Sequence, residues 1–388
     1  MSRVALLFLL AAVQGCGAAP LRPAGGAPGA SGEDGVREST SDGPPSADGS
    51  LGPADEEEVS ETAPLPVVVA PAQPERAPHP FADLSDDELE SMLVNDPTSL
   101  GSISLGRTSG GALFNPVTIP PGPYWKIVNR TQTWGTTETV EQLAHCIERV
   151  NQQFPNTPPL HIGDISERNG GYIKPHISHQ SGRDVDLGYY YTTARGWYVR
   201  GNASNLDLAR NWALIRAMIT ETDVQRIFID RAIQKLLREH ALSIGEDSAW
   251  LDRIFGGGAS TERPLIMHED GHDTHLHVRF YNPIAQETGR RMYRLLVAHK
   301  KISPPTYYIQ HKVRRGDTLG RMARTYSTTV EVIKKANGLR SSRIIAGRSY
   351  KIPRRGGVTA ATSPLVLPPR RLPPQGTHAG DAFASPQP

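Results

Sequence analysis

Hydrophobic residues recur with the spacing of helices and strands between residues 85 and 303, and this pattern predicts a sizeable folded domain there. Helical spacing is clearest over 137–154 and 208–219, whose apolar stripes are Val140, Leu143, Ile147, Val150 and Leu208, Trp212, Ile215, Ile219. Alternating or β-branched segments predict strands at 125–128, 160–165, 184–191, 224–229 and 275–280. Because strands and helices follow one another without a regular βαβ order, we expect an α+β fold on a small, mainly antiparallel sheet.

The two ends of this domain carry local signals. Ser85 and Glu88 have the spacing of a capping box, which predicts a short helix at the start of the domain. Pro304 and Pro305 mark its end. Residues 307–353 then show a strand, a turn, two short helices separated by a break at 327–329, and a closing strand. This order predicts a separate small βααβ module.

Composition adds two segments that are not expected to pack. The chain has 388 residues and 33 prolines, and the prolines are concentrated in 20–84 and 354–388. Such segments bury too little apolar surface to offset their ordering entropy, so we expect a disordered linker and a disordered tail. A net charge of +2 excludes a protein that seeks polyanions as a whole, and we expect no nucleic-acid partner. Two cysteines exclude a disulfide scaffold.

The N-terminus has the pattern of an export signal over residues 1–19. Arg3 precedes ten apolar residues, a run too short to span a membrane as a helix. Cys16 follows in a context that resembles a bacterial lipobox, although Gln14 stands where a small residue is usual. We therefore expect an exported protein, periplasmic or anchored to the outer membrane by lipid on Cys16, with simple cleavage nearby as the alternative. Cys146 is then a buried hydrophobe without a disulfide partner.

Candidate chemistry is concentrated in two short segments, 176–186 and 271–277, which hold five of the 13 histidines. On a strand, residues i and i+2 share a face, so His275 and His277 project together, as do Asp184 and Asp186. Gly182 permits a sharp turn between His179 and this strand. Two His and one Asp leave a fourth position open for water, as in catalytic zinc sites, where zinc lowers the pKa of water to about 7. The alternative is that these histidines only satisfy core hydrogen bonds.

The two segments, His-Ile-Ser-His-Gln-Ser-Gly-Arg-Asp-Val-Asp and His-Asp-Thr-His-Leu-His, resemble the penicillin-insensitive murein endopeptidase family of zinc peptidases. The similarity extends over about 100–285. The resemblance implies one catalytic Zn²⁺ on His179, Asp186 and His277, with a second, accessory ion possible. Arg183 departs from the family, where an apolar residue is expected, and strand alternation points it away from the ligands.

The resemblance also implies roles for three further histidines. His275 is expected to act as the general base or to bind the transition state, and His272 to assist catalysis. His176 is expected in an accessory or supporting position at the metal. Which histidine is the base stays open at this point.

The activity that the resemblance implies is hydrolysis of peptide cross-links in peptidoglycan, of the D-alanyl–meso-diaminopimelyl type. The chain contains no Ser-x-x-Lys motif, so it offers no such serine for a β-lactam to acylate. Two alternatives stay open: a D,D-carboxypeptidase that trims stem peptides, and a non-catalytic peptidoglycan-binding protein.

Residues 307–353 resemble a LysM domain through His311–Leu319, Val332–Leu339 and Tyr350–Pro353. The resemblance implies binding of N-acetylglucosamine-containing glycan in a groove between the loops 316–319 and 341–347. The expected contacts are Gly316, Asp317, Thr318, Leu319, Ile344 and Ile345. The module is rich in Lys and Arg, which indicates either attraction to an anionic cell wall or a solvated surface that keeps a small domain soluble.

Overall fold

The computed structural model of the protein describes residues 72–76, 78–258, 260–356, 358 and 364–374. The strands are β1 (Ile103–Arg107), β2 (Gly110–Phe114), β3 (Val117–Thr118), β4 (Trp125–Ile127), β5 (Trp134–Gly135), β6 (Leu160–Ile162), β7 (Asp184–Gly188), β8 (Val224–Ile229), β9 (Ile266–His268), β10 (His275–Phe280), β11 (Thr306–Lys312) and β12 (Ser349–Arg355). The helices are α1 (Asp86–Asn95), α2 (Thr137–Gln153), α3 (Leu208–Glu221), α4 (Arg231–Ser243), α5 (Ser248–Phe255), α6 (Pro283–Ala298), α7 (Leu319–Thr325) and α8 (Val330–Ala336).

The main sheet has six strands in the order β4-β6-β7-β10-β8-β9. Its centre is antiparallel, through the pairs β6–β7, β7–β10 and β10–β8, and only the outer pairs β4–β6 and β8–β9 are parallel. This arrangement confirms the predicted α+β class with a small, mainly antiparallel sheet. The predicted strands are present, although β4, β6 and β7 end earlier than expected.

The register of the two central strands brings the candidate metal-binding residues of β7 and β10 side by side. His277 lies opposite Asp186, and Arg279 lies opposite Asp184. Between them, Val185 and Leu187 of β7 and Leu276 and Val278 of β10 turn to the other face and are buried in the main core. The alternation read in the sequence therefore separates an apolar face from a polar face.

The apolar stripe predicted for helix α2 is the face that the helix buries. Thr136 caps its N-terminus by accepting a hydrogen bond from the Thr139 backbone N–H. The predicted stripe is buried in the main core, together with Cys146, which is a free buried cysteine. Burial raises the pKa of the Cys146 thiol, so this cysteine packs as a small hydrophobe.

A second hydrophobic cluster joins α1, the β1–β2 hairpin and α6. The predicted capping box of α1 is formed, since Ser85 and Glu88 bond each other's backbone N–H groups. Phe81 packs against this cluster, and His79 Nε2 lies 3.2 Å from the Ile284 carbonyl oxygen. These contacts lie inside 20–84, the segment whose composition predicts disorder.

The C-terminal module has the predicted βααβ order, with β11 and β12 paired antiparallel around α7 and α8. Its core consists of Val313, Leu319, Met322, Ala323, Ile333, Tyr350 and Ile352. Leu319 is only 2% exposed, so its side chain belongs to this core and is not available to a ligand, contrary to its expected glycan contact. The other five expected contacts lie on or near the two predicted loops.

Residues 364–374 form neither helix nor strand, and they bond to the main domain. The indole Nε1 of Trp250 donates a 2.7 Å hydrogen bond to the Arg371 carbonyl oxygen. Arg370 and Arg76 both bind Asp223, at 3.0 and 2.9 Å. This docked segment lies inside 354–388, where composition predicts a disordered tail. Proline restricts an unbound chain already, so a Pro-rich segment loses less entropy when it docks.

In the part of the chain that the structure describes, no helix combines the length and the apolar character needed to cross a membrane. The predicted signal segment and Cys16 lie outside the described residues.

Candidate metal centre

His179 is held by its backbone as well as by its ring. It adopts a left-handed conformation with φ of +64°, and Gly182 does so with φ of +70°, which together make the turn into β7. The ring Nδ1 lies 3.1 Å from the Ile165 carbonyl oxygen. Because a carbonyl oxygen only accepts, Nδ1 carries the proton and Nε2 presents a lone pair. This is the usual way in which a metal-binding histidine is oriented.

Three ligand-type atoms form a triangle in the interior. Asp186 Oδ1 lies 3.2 Å from His179 Nε2 and 3.3 Å from His277 Nδ1, and the two ring nitrogens are 3.2 Å apart. All three residues are buried. Despite these short distances, Asp186 Oδ1 has no hydrogen bond of acceptable geometry to any described residue. Two ring nitrogens and a carboxylate oxygen that converge on one buried point are a ligand set that can hold a divalent cation.

Asp184 supports both histidines from the other side. Its Oδ2 accepts a 3.0 Å hydrogen bond from the His179 backbone N–H, and its Oδ1 lies 3.5 Å from His277 Nε2. Arg279 binds the same carboxylate at 2.6 and 3.2 Å. His277 Nε2 forms no hydrogen bond to a described residue, so Asp184 acts on this ring through its charge, and Nδ1 is the ring atom that faces the triangle.

The electrostatics of the centre favour positive charge. Burial would lower the pKa of His277, but the carboxylates of Asp184 and Asp186 raise it to about 9. Burial would likewise raise the pKa of Asp186, but His179 and His277 hold it well below its usual range. An environment that stabilises a proton so strongly also stabilises a cation at the same place.

His176 lies at the rim of the triangle. Its Nε2 donates to Asp164 Oδ2 at 3.0 Å, and its Nδ1 lies 3.6 Å from Asp186 Oδ2. His176, His179 and Asp186 each present a ligand atom within 4.8 Å of the others, so this histidine is close enough for the accessory position that we expected. The hydrogen bond that His176 donates to Asp164 raises the pKa of His176. Sequence reasoning did not assign a role to Asp164.

His275 and His272 form the wall next to the triangle. His275 Nε2 lies 3.9 Å from Asp186 Oδ1, and burial lowers the pKa of His275 to about 4, so the ring is neutral at neutral pH. The His272 ring centroid is 4.8 Å from that of His275. His272 Nδ1 donates to the Asp270 carbonyl oxygen at 3.2 Å, so the neutral ring presents the lone pair of Nε2.

An aromatic pair that sequence reasoning missed covers His275. The Tyr198 ring stacks on the His275 ring with centroids 5.3 Å apart and an interplanar angle of 26°. Trp197 packs edge-to-face on Tyr198. Tyr198 has φ of +66°, an unusual conformation for a bulky residue, and is 59% exposed. Two adjacent aromatics in an otherwise polar loop were the available signal.

Arg183 is buried and does not reach the triangle. Its Nη1 donates to the Phe280 carbonyl oxygen at 3.3 Å, on the far side of the strand from Asp186. The expectation that it points away from the ligands is consistent with this contact.

The expected glycan loops of the C-terminal module are exposed or partly exposed apart from Leu319. Gly316 has φ of +90°, Thr318 caps α7, and Ile345 is 57% exposed while Ile344 packs against the core. Asp317 accepts hydrogen bonds from the Arg314 backbone and the His311 ring. The Asp317 carboxylate therefore fixes its own loop.

The protein therefore has a mixed α/β domain with a buried His/His/Asp cluster that could bind a metal, followed by a small βααβ domain. Residues 104–293 match the profile of the penicillin-insensitive murein endopeptidase family, and residues 311–353 match the LysM domain. The chain thus carries a domain of the penicillin-insensitive murein endopeptidase family followed by a LysM domain, as predicted.

Curated relatives are named penicillin-insensitive murein endopeptidase. The protein of Pectobacterium atrosepticum is 28% identical over 216 residues, which cover 50% of this chain and 69% of the relative. A Yersinia pestis protein is 26% identical over 209 residues, covering 49% and 68%. The Yersinia enterocolitica protein is 31% identical over 139 residues, covering 31% and 45%. These similarities support a peptidoglycan hydrolase of the cell wall or periplasm.

Proposed function

We propose that this protein is a zinc-dependent endopeptidase that hydrolyses peptide cross-links of peptidoglycan, of the D-alanyl–meso-diaminopimelyl type. The observation that carries the proposal is the buried triangle of His179, Asp186 and His277, whose facing atoms lie within 3.3 Å of one another. These three residues would hold the ion, and His176 would support it. When bound, zinc supplies Lewis acidity, which polarises a carbonyl and lowers the pKa of water.

Hydrolysis adds the oxygen of water to the carbonyl carbon and breaks the C–N bond of the peptide. One proton must leave the water and one must reach the departing amine. We assign the first transfer to His275, which is neutral at neutral pH and has its Nε2 beside Asp186. His272, with the lone pair of Nε2 available, accepts a hydrogen bond from a substrate N–H next to the cut.

The LysM domain would bind the glycan to which the cleaved peptides are attached. Binding there keeps the enzyme on its insoluble substrate and raises the local concentration of cross-links at the metal centre. We also propose export across the inner membrane and lipidation at Cys16. Metabolic labelling with a radioactive fatty acid, compared between the wild type and Cys16→Ser, tests the anchor separately from the enzyme.

The enzymatic proposal is tested by metal analysis together with a digest of purified sacculi. The wild type is expected to contain about one equivalent of zinc and to convert cross-linked muropeptide dimers to monomers, with activity lost on chelation and restored by zinc. His277→Ala should lose both the zinc and the activity. His240→Ala, on α4 outside the centre, is the matched control and should keep both.

Mass spectrometry of the fragments also decides between the alternatives. Loss of a terminal D-alanine from monomers, without cleavage of dimers, would identify a carboxypeptidase. A His277→Ala variant that retains a full equivalent of zinc would refute the ligand assignment.

A further inference from the structure

A groove of about 1010 Å³ lies between the main domain and the LysM domain, outside the metal centre. One wall consists of β2 and the loop 168–172, and the other consists of residues 300–306 and Tyr308 of β11. This volume is at the upper end of the range for small-molecule sites, so the groove suits an extended ligand.

The charged side chains that line the groove are all positive. Arg168, Lys300 and Lys301 line it, and the described lining residues include no Asp or Glu. All three cations are exposed, and none of them forms an ion pair with a described residue. Their charges are therefore available to an acidic ligand. The chain as a whole is nearly neutral, with a net charge of +2, so this local excess is not a property of the entire surface.

Two tyrosine rings also line the groove and add an apolar surface beside these charges. Tyr172 and Tyr308 contact each other edge-to-face with centroids 6.5 Å apart, and Tyr172 is 48% exposed. A half-exposed tyrosine offers an apolar face and a polar tip, which suits the C–H faces and hydroxyls of a sugar. Tyr172 precedes His176 by four residues, so their Cα atoms are at most about 15 Å apart. The groove therefore lies close to the segment that carries His176.

We propose that this groove is an additional substrate-binding site for the peptidoglycan strand itself. The sugars lie against Tyr172 and Tyr308, and the carboxylates of the attached peptide lie against Arg168, Lys300 and Lys301. This inference rests on the proposed function, because the groove would hold part of the strand whose cross-link is cut at the metal centre. Peptidoglycan suits both parts of the lining, since its peptide arms are acidic and its backbone is sugar.

The charges are tested by the kinetics of the full chain on sacculi. In Arg168→Glu/Lys300→Glu/Lys301→Glu the apparent KM should rise about tenfold, because three favourable contacts are lost, while kcat stays within about twofold. Raising NaCl from about 20 mM to about 500 mM should raise the KM of the wild type and lower that of the variant, because salt screens the attraction in the first protein and the repulsion in the second. A wild-type KM and salt response in the variant would overturn the proposal.

The matched control is Lys126→Glu/Arg231→Glu/Lys235→Glu, which makes the same change of charge at exposed positions outside the groove. This control should behave like the wild type. If it raises KM as strongly as the groove variant, then general charge repulsion explains the effect and the groove proposal is rejected.

The sugar contact is tested with two soluble substrates. Tyr172→Ala should raise KM about fivefold for cross-linked dimers that carry their sugars and should leave KM unchanged for dimers stripped of sugars. Equal effects on both substrates would refute the sugar contact.

Co-sedimentation with sacculi separates this inference from the proposed function. If the wild type cleaves no substrate but the triple groove variant binds sacculi more weakly, the enzymatic proposal fails and the groove is supported. If cleavage is confirmed but neither binding nor KM responds to the groove variants, the groove proposal alone fails.

Discussion

The carboxylate of Asp184 accepts a 3.0 Å hydrogen bond from the backbone N–H of His179, five residues earlier in the chain. Asp184 is completely buried, and Arg279 neutralises it from the neighbouring strand. The same carboxylate lies 3.5 Å from the Nε2 atom of His277. One side chain therefore holds the backbone of His179 and places a negative charge beside His277, two residues that reach the centre from distant parts of the sequence.

Replacing Asp184 with Asn should weaken zinc binding. The amide retains an oxygen for the His179 backbone, but it removes the charge that favours a proton on His277 Nε2 and pairs with Arg279. We expect the zinc affinity to fall about 10- to 100-fold, as for other residues that orient metal ligands. Competition with a chromophoric chelator measures this affinity directly.

The control for this experiment is Asp223→Asn, which changes a partly buried, arginine-paired aspartate outside the centre. It should lose some stability but retain the affinity for zinc. An Asp184→Asn protein that is folded by circular dichroism and binds zinc as tightly as the wild type contradicts the orienting role.

Tyr198→Ala should lower kcat while leaving the zinc content unchanged. The Tyr198 ring stacks on His275 and limits the positions that the imidazole can adopt. Loss of orientation at a proton acceptor costs about 10- to 100-fold in rate. Tyr198→Phe keeps the ring and should retain most of the activity. If the Phe variant is as impaired as the Ala variant, the hydroxyl and not the stacked ring is the important group.

The hydrophobic pattern of the sequence was sufficient to predict most of the secondary structure and to tell the apolar face of each central strand from its polar face. Alternation placed Asp186 and His277 on the polar faces of β7 and β10, and antiparallel pairing of these strands puts the two residues opposite each other. Local periodicity carries this information because each strand has one apolar face to bury. The identification of His179 as their neighbour depended on family resemblance, since a loop residue has no periodicity.

The remaining contacts depend on tertiary packing that no local pattern encodes. Asp164 meets His176 only through the fold of the loop between β6 and β7. Leu319 follows Gly316 and Thr318 in the sequence, but its side chain lies in the LysM core. Residues 364–374 have the composition of a disordered tail, yet Trp250 and Asp223 provide specific partners for them. Composition reports the cost of ordering a segment but not the contacts that offset it.

Glu138 should make the stability of the protein depend on pH. Its carboxylate accepts hydrogen bonds from the backbone N–H groups of Ile284 and Ala285 at the start of α6. Burial raises its pKa from 4.5 to about 7, and the charges of Asp223 and Glu141 add to this shift while the two hydrogen bonds oppose it. Arg183 is a positively charged residue close enough to interact electrostatically with Glu138.

The folded protein therefore binds this proton more tightly than the unfolded chain does. The resulting stabilisation is complete below about pH 4.5 and is lost as the pH rises through about 7. Its upper limit is about 3 kcal/mol of unfolding free energy. Glu138→Gln cannot titrate, so urea unfolding at acidic and at mildly alkaline pH should show a smaller pH dependence than in the wild type. Parallel pH profiles for the two proteins would exclude this explanation.

The docked C-terminal segment should contribute measurably to the stability of the main domain. Arg370 and Asp223 are both largely buried where they meet, with side-chain exposures of 16% and 12%. A partly buried ion pair of this kind is expected to give a coupling energy of about 1 kcal/mol in a double-mutant cycle of Arg370→Ala and Asp223→Ala. Urea unfolding of the full chain at neutral pH measures the four free energies.

Arg340→Ala, at an exposed position in the LysM domain, supplies the control cycle and should show no coupling to Asp223. Coupling near zero in both cycles would mean that Arg370 does not hold the segment on the domain in solution, and the Pro-rich tail would then behave as its composition predicts.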